Sequence, residues 1–221
     1  MANPAIPKKK THDAEKTRER ILLAALKEFA AKGLTGARVD EIARRAKINK
    51  QMLYHYFGNK KGLFRAVLRR KITQRRALSQ TFSDDPTKNM PLLYWATCRE
   101  TEWIRMLLWE SVQTADGPVE DETARLENVR LALDDVRRRQ QLGFLNPDFE
   151  PRFLVLVKFA LTMFPSAFPH VTRLITGKCP DDPKFQRDYA NFLEGFSAAF
   201  QPANGRPNTQ KNPGASAPGN D

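Results

Sequence analysis

Apolar residues recur at three- and four-residue spacing along almost the whole stretch from residue 13 to residue 200, and no segment alternates apolar with polar as a half-buried strand does. A chain patterned this way buries its apolar side chains by packing helix on helix. In Asp13–Lys32 the repeat is Ile21, Leu22, Ala25, Leu26 and Phe29, with Gly33 placed to end the helix. A short helix fits Asp40–Ala46 and another Lys50–Tyr56, the latter capped by Asn49. A fourth runs from Asn59 or Lys60 to about Gln80, with Leu63, Phe64, Val67, Leu68 and Ile72 inward. Asp84-Asp85-Pro86 stops it and reads as a hinge. Beyond lie apolar-periodic segments at about 88–114, 119–141, 150–164 and 184–200, punctuated by Pro and Gly. The 221 residues therefore predict an all-α protein of two domains, 13–76 and 77–200, the second a bundle of five or so helices. Residues 1–12, with Lys8-Lys9-Lys10, read as a disordered basic arm, and residues 201–221, rich in Pro, Gly, Asn and Ser, as a disordered tail.

Charge is divided unevenly between these parts. Residues 1–76 hold 21 Lys and Arg against 6 Asp and Glu, whereas residues 77–221 hold 16 against 19, so the whole excess of +12 sits in the first third. That asymmetry points to a polyanionic partner for the first domain, or simply to a solvated basic surface. The two short helices there, Arg38–Ala46 and Lys50–Phe57, are separated by three residues and follow a longer helix, the pattern of a helix-turn-helix. Ile42, Ala46, Ile48, Leu53 and Phe57 supply its small core, and Ala43 lets the helices approach. The second short helix would then show Lys50, Gln51, Met52, Tyr54 and His55 outward, side chains able to bond phosphates and base edges in double-stranded DNA. Tyr54 and Phe57 serve equally as core aromatics, His55 as a surface hydrogen-bonder, and the lysine arm as a solubilising tail.

Other classes find little support. His12, His55 and His170 are scattered, and no Ser-His-Asp order, Gly-rich phosphate loop or HExxH occurs, so no enzyme is expected. Cys98 and Cys179 stand alone, which indicates neither a disulfide framework nor a metal site, and no cofactor is implied. No run approaches the length of a membrane span and no signal-peptide pattern opens the chain, so no membrane partner and a cytoplasmic location are expected.

The stretch Arg38-Val39-Asp40-Glu41-Ile42-Ala43-Arg44-Arg45-Ala46, continued by Leu53-Tyr54-His55-Tyr56-Phe57-Gly58-Asn59-Lys60-Lys61-Gly62-Leu63-Phe64, resembles the DNA-binding domain of the TetR (tetracycline-repressor) family over about residues 14–70. The aromatic box followed by Lys60 is the most specific part. The resemblance implies DNA contacts from Arg38, Arg44, Lys50, Gln51, Met52, Tyr54, His55, Tyr56 and Lys60, with Gln51 and Met52 where sequence preference varies. The turn in that family usually carries Gly where this chain has Lys47, and a left-handed conformation there would cost a lysine about 1 kcal/mol, a departure that bears on the turn geometry.

The same resemblance implies a homodimer reading an inverted-repeat operator, a repressor released by a small-molecule effector, with residues 77–200 serving effector binding and dimerisation. Dimerisation would use helices near 150–164 and 184–200; the first is apolar around most of its circumference, which also fits a fully buried central helix. The effector pocket is placed along Tyr94–Trp109, with Arg99, Trp103, Met106 and Leu107 as candidate ligand contacts, although aromatic and Met side chains at helical spacing serve a core as well. A sequence-neutral architectural DNA-binding protein is the rival reading; it predicts equal affinity for all duplexes.

Overall fold

A computed structural model describes residues 8–113 and 119–202, with side chains from residue 13 onward. Residues 1–7 and the lysine side chains of the expected arm, and residues 203–221 of the expected tail, lie outside the described residues. The described residues are all-helical: α1 (Lys8–Gly36), α2 (Val39–Ala46), α3 (Lys50–Phe57), α4 (Lys60–Ser79), α5 (Pro86–Cys98), α6 (Thr101–Gln113), α7 (Glu122–Gln141), α8 (Pro151–Ala167), α9 (Pro169–Thr176) and α10 (Pro183–Ala198). α1 starts five residues earlier than its apolar repeat, because nothing after Pro7 breaks a helix and lysine is a good helix former. So the backbone of Lys8–His12 is helical, a correction to the arm expected there. Gly33 interrupts α1 with φ 67°, and one further turn leads to Arg38.

Among the described residues the second domain holds six helices, where five or so were expected. The apolar-periodic segment at 88–114 divides into two helices at Arg99-Glu100, where the Glu100 N–H donates to the Thr97 carbonyl (3.0 Å) and the Trp103 N–H to the Glu100 carbonyl (3.0 Å). No Gly or Pro marks that break. α9 is the other addition, opened by Pro169 and closed by Gly177 at φ 73°. α8 runs on through Pro165 instead of stopping there.

The largest core joins α1, α2, α3 and α4 through Ile21, Phe29, Ile42, Leu53, Leu63, Phe64 and Val67, and it takes in Trp103 and Met106 from α6. Packing thus continues across the expected boundary between residues 76 and 77. The hinge segment is clamped as well. Buried Asn89 accepts from the Ser83 N–H (2.9 Å) and donates to its carbonyl (2.7 Å), Asp85 caps α5 at Thr87 N (2.9 Å), and Arg138 reaches Asp84 (2.7 Å). A second cluster packs Met90 and Tyr94 of α5 on Ala190 and Leu193 of α10, and a third packs Val136 of α7 and Leu145 on Val155 of α8.

Candidate functional site

The α2–α3 unit is held as a helix-turn-helix requires. Lys47 adopts the left-handed conformation (φ 54°, ψ 50°), and the Ile48 N–H closes the turn on the Ala43 carbonyl at 3.1 Å. Asn49 accepts from the Met52 N–H (2.7 Å) and Asn59 from the Gly62 N–H (2.8 Å), capping α3 and α4. Ile42, Ala43, Ala46 and Leu53 are buried, with Ile48, Tyr56 and Phe57 packed half-buried around them. Phe57 also lies under the Arg18 guanidinium (5.5 Å). Lys50, Gln51, Met52, Tyr54 and His55 all stand exposed on α3. Tyr56 turns instead toward α1, its hydroxyl 3.4 Å from the Ala14 carbonyl.

Three of the charged candidates, Lys60, Lys50 and Arg44, are already engaged. Lys60 donates to the Thr35 (3.0 Å) and Ala37 (3.1 Å) carbonyls, tying the start of α4 to the α1–α2 connection and leaving one ammonium proton for a phosphate. Lys50 pairs with Asp40 at 2.9 Å, which raises its pKa. Arg44 makes a two-pronged pair with Glu41 (2.8 and 2.7 Å), joined by Arg45 (2.7 Å); these hydrogen bonds hold the Glu41 carboxyl down to about 2. Arg38, exposed, precedes α2 and caps it with no side-chain bond.

Beneath this surface lies Glu28, a carboxylate with no mark in the sequence that sets it apart from the other charges of α1. Its side chain is 0% exposed and takes Lys32 (2.9 Å) and the Arg38 N–H (3.3 Å) on one oxygen, with Arg45 at 3.5 Å from the other. Burial works to raise its pKa, but the Lys32 bond, the Arg38 N–H and the two cations outweigh it, and the net shift is downward. Glu28 thus fixes both the start of α2 and its last turn. Glu28→Gln is expected to cost about 2 kcal/mol of stability at neutral pH by removing charge-assisted bonds. A lowered carboxyl contributes stability above its ordinary value of 4.5 and loses it as pH falls through the depressed value. Urea melts should therefore show the gap between wild type and Glu28→Gln close as the solution is acidified; a gap independent of pH would contradict the assignment.

A cavity of about 580 Å³ opens between α4, α5, α6, α7 and α8. Of the four ligand candidates, Trp103 and Leu107 line it. Met106 is 2% exposed and belongs to the core shared with α1, while Arg99 is exposed at the α5–α6 break; neither lines the cavity. The break at Arg99-Glu100 resets which side chains along Tyr94–Trp109 point inward, and apolar spacing alone does not mark it. The cavity's charged lining, Arg75, Arg125, Asp135, Arg138, Arg139 and Lys158, was not anticipated. Lys158 alone left a trace in the sequence, as the single charge in the apolar run Phe153–Phe164.

α4 links the two sites. Leu63, Phe64, Val67 and Leu68 are buried in the helix-turn-helix core, and about one, two and three turns farther along the same helix Ile72, Arg75 and Ser79 face the cavity. A single helix therefore has one end in each.

Residues 21–67 match the family described as bacterial regulatory proteins, tetR family, and residues 91–190 match the tetracyclin repressor-like C-terminal domain. The HTH-type transcriptional repressor SCO4008 of Streptomyces coelicolor is 31% identical over 165 residues, 75% of this chain and 86% of that protein. Another repressor, NicS of Pseudomonas putida, is 46% identical over 59 residues, which span 27% of this chain and 28% of NicS. Among solved structures, the putative transcriptional regulator SCO4942 from Streptomyces coelicolor superposes with a TM-score of 0.70 at 24% identity, covering 84% of this chain and 98% of that one. AibR, crystallised with isovaleryl coenzyme A and operator DNA, superposes at 0.62 with 16% identity over 81% of this chain and 97% of its own. With both its DNA-binding and its C-terminal parts matched, this chain belongs to the TetR family of transcriptional regulators.

Proposed function

We propose that the protein is a sequence-specific repressor that binds an inverted-repeat operator as a homodimer and is released by a small-molecule effector held in the α4–α8 cavity. The observation that carries this reading is the outward face of α3, where Lys50, Gln51, Met52, Tyr54 and His55 stand exposed on a helix whose opposite side is locked into the core. Gln51 suits adenine edges and Met52 a thymine methyl, while Arg38, Arg44, Tyr56 and Lys60 flank them for phosphates. Repression as the mode is supported by the 31% identical relative SCO4008, an HTH-type transcriptional repressor. The fold itself accommodates an acyl-coenzyme A and operator DNA together in AibR. Occupancy of the cavity would act through α4, which reaches both sites, with α6 joining them as well through Trp103.

Dimerisation is supported by the surfaces of α8 and α10. On α8, Phe153 (66% exposed), Leu156 (62%) and Phe164 line one side, so the alternative of a fully buried helix does not fit. On α10, Phe192 and Phe196 stack on each other (5.6 Å) and stay exposed, and Tyr189 joins the two helices by donating to the Leu161 carbonyl (2.9 Å). Apolar faces of this kind call for a partner, and a second copy supplies the two-fold symmetry of an inverted repeat. Phe153→Glu is expected to shift the protein from dimer to monomer in light scattering without lowering its helix content. A dimer that survives this change would move the interface elsewhere.

The reading as a whole is tested by incubating the protein with fragmented genomic DNA of its source at moderate salt and sequencing what stays bound. A few fragments sharing an inverted repeat are expected; uniform recovery would favour the architectural binder.

A further inference from the structure

The cavity's ion pairs balance except at two places. Arg125 makes a two-pronged pair with Glu110 (2.7 and 2.8 Å), and Asp135 takes Arg139 at 3.1 Å and Arg138 at 3.3 Å. Arg75 on α4 is different. Its side chain is 11% exposed, and its Nε and one terminal nitrogen are buried with no hydrogen-bond partner among the described residues. The carboxylate oxygen it pairs with, on Glu100, stands 3.8 Å away, and the other oxygen of Glu100 is taken by Lys71 at 3.1 Å. Lys158 on α8 makes no ion pair among the described residues; its ammonium stands 5.6 Å from the Phe159 ring centre. Part-buried cations whose counter-ion is distant, as at Arg75, or missing among the described residues, as at Lys158, are costly, and much of the surrounding wall is apolar: Ile72, Leu93, Val129, Phe159 and Met163.

We propose that the effector is an apolar molecule bearing an acidic group, and that Arg75 and Lys158 hold that group. This rests on the reading of the cavity as the effector site. An anion supplies the acceptor that both side chains lack, whereas a neutral ligand leaves them unpaired and a cationic one meets a wall in which the one carboxylate, Asp135, is shared by two arginines. Burial pulls both Arg75 and Lys158 below their usual pKa range, as expected of cations awaiting a counter-ion; Glu100 opposes the shift at Arg75, and Asp135 opposes it at Lys158 while Arg139 adds to it. The two side chains belong to different layers: Arg75 to the helix that carries the DNA-contacting unit, Lys158 to a helix of the proposed dimer face. An acid bound to both couples those helices and competes with Glu100 for Arg75.

The test uses two fluorescent probes with one ring system, 1-anilinonaphthalene-8-sulfonate and the uncharged N-phenyl-1-naphthylamine, titrated into the full-length protein. The sulfonate is expected to bind at least about tenfold tighter, and Arg75→Met and Lys158→Met each to remove about tenfold of its affinity while leaving the uncharged probe unchanged. Lys158→Arg, which keeps the charge, should retain the sulfonate's advantage even if Lys158→Met disturbs the fold. Ala132→Trp, which fills the cavity, should abolish both signals and so separate the cavity from the exposed apolar faces of α8 and α10. Equal affinities for the two probes, with no response to Arg75→Met or Lys158→Met but a response to Ala132→Trp, would overturn acid recognition while leaving the cavity as a ligand site. Signals indifferent to Ala132→Trp would overturn the cavity reading itself, and the proposal with it.

Discussion

Gly62→Ala is expected to destroy the α3–α4 junction and with it DNA binding, although alanine is the better helix former. Gly62 lies in the first turn of α4, its N–H held by Asn59 at 2.8 Å, and a Cβ built there falls inside van der Waals contact of the Phe57 carbonyl oxygen. That oxygen is backbone and cannot rotate aside; it also accepts from the Asn59 N–H at 2.8 Å. Relief requires α4 to move off the end of α3, which opens the contact between Leu53 and the Leu63–Phe64 pair in the core. Overpacking of this kind costs about 2–3 kcal/mol, more than the roughly 1 kcal/mol that alanine gains over glycine in a helix. Gly58→Ala is the comparison. It has open space around it but a φ of 73°, so its loss should stay near 1 kcal/mol. Thermal melts and operator titrations of the two variants should separate them; equal effects would mean that the junction tolerates the added methyl.

Gln51→Ala combined with Tyr54→Ala is expected to lower specific affinity by about 10³-fold while leaving the melting temperature in place, since each base or phosphate contact is worth about 1–3 kcal/mol and both side chains are exposed. Non-specific affinity should fall far less, because the positive charges remain. If Tyr54, 40% exposed, acted mainly as a core aromatic, the variant would instead melt earlier and lose both kinds of binding together.

The helix-turn-helix was legible because each of its parts leaves a local mark: apolar spacing at Ile42, Ala46 and Leu53, caps at Asn49 and Asn59, and a three-residue turn. The departure at Lys47 put that turn's geometry in question, and the structure keeps the left-handed backbone there in spite of the cost to a lysine. The α5–α6 break was not legible, because Arg99-Glu100 carries no helix-breaking residue and the apolar repeat simply resumes at Trp103. α9 was missed because it is short and lies between the apolar-periodic segments: its eight residues, Pro169–Thr176, bury only Thr172. The cavity cations were hidden because periodicity marks apolar faces. Arg75 sits in the run Lys71–Arg76 like any solvated basic residue, and only the packing of α4 against α6 and α7 turns it inward. Glu28 was likewise one more charge on α1 until Arg38 and Arg45 were placed against it.

The central claim, that α3 reads sequence, is tested most directly by one ratio. A promoter fragment recovered from genomic DNA, and the same fragment with its half-sites shuffled, are titrated with the wild-type protein at a single salt concentration. The account predicts about 10³-fold or more between the two dissociation constants. Equal constants would contradict it, leaving a basic helical protein that holds any duplex by its phosphates.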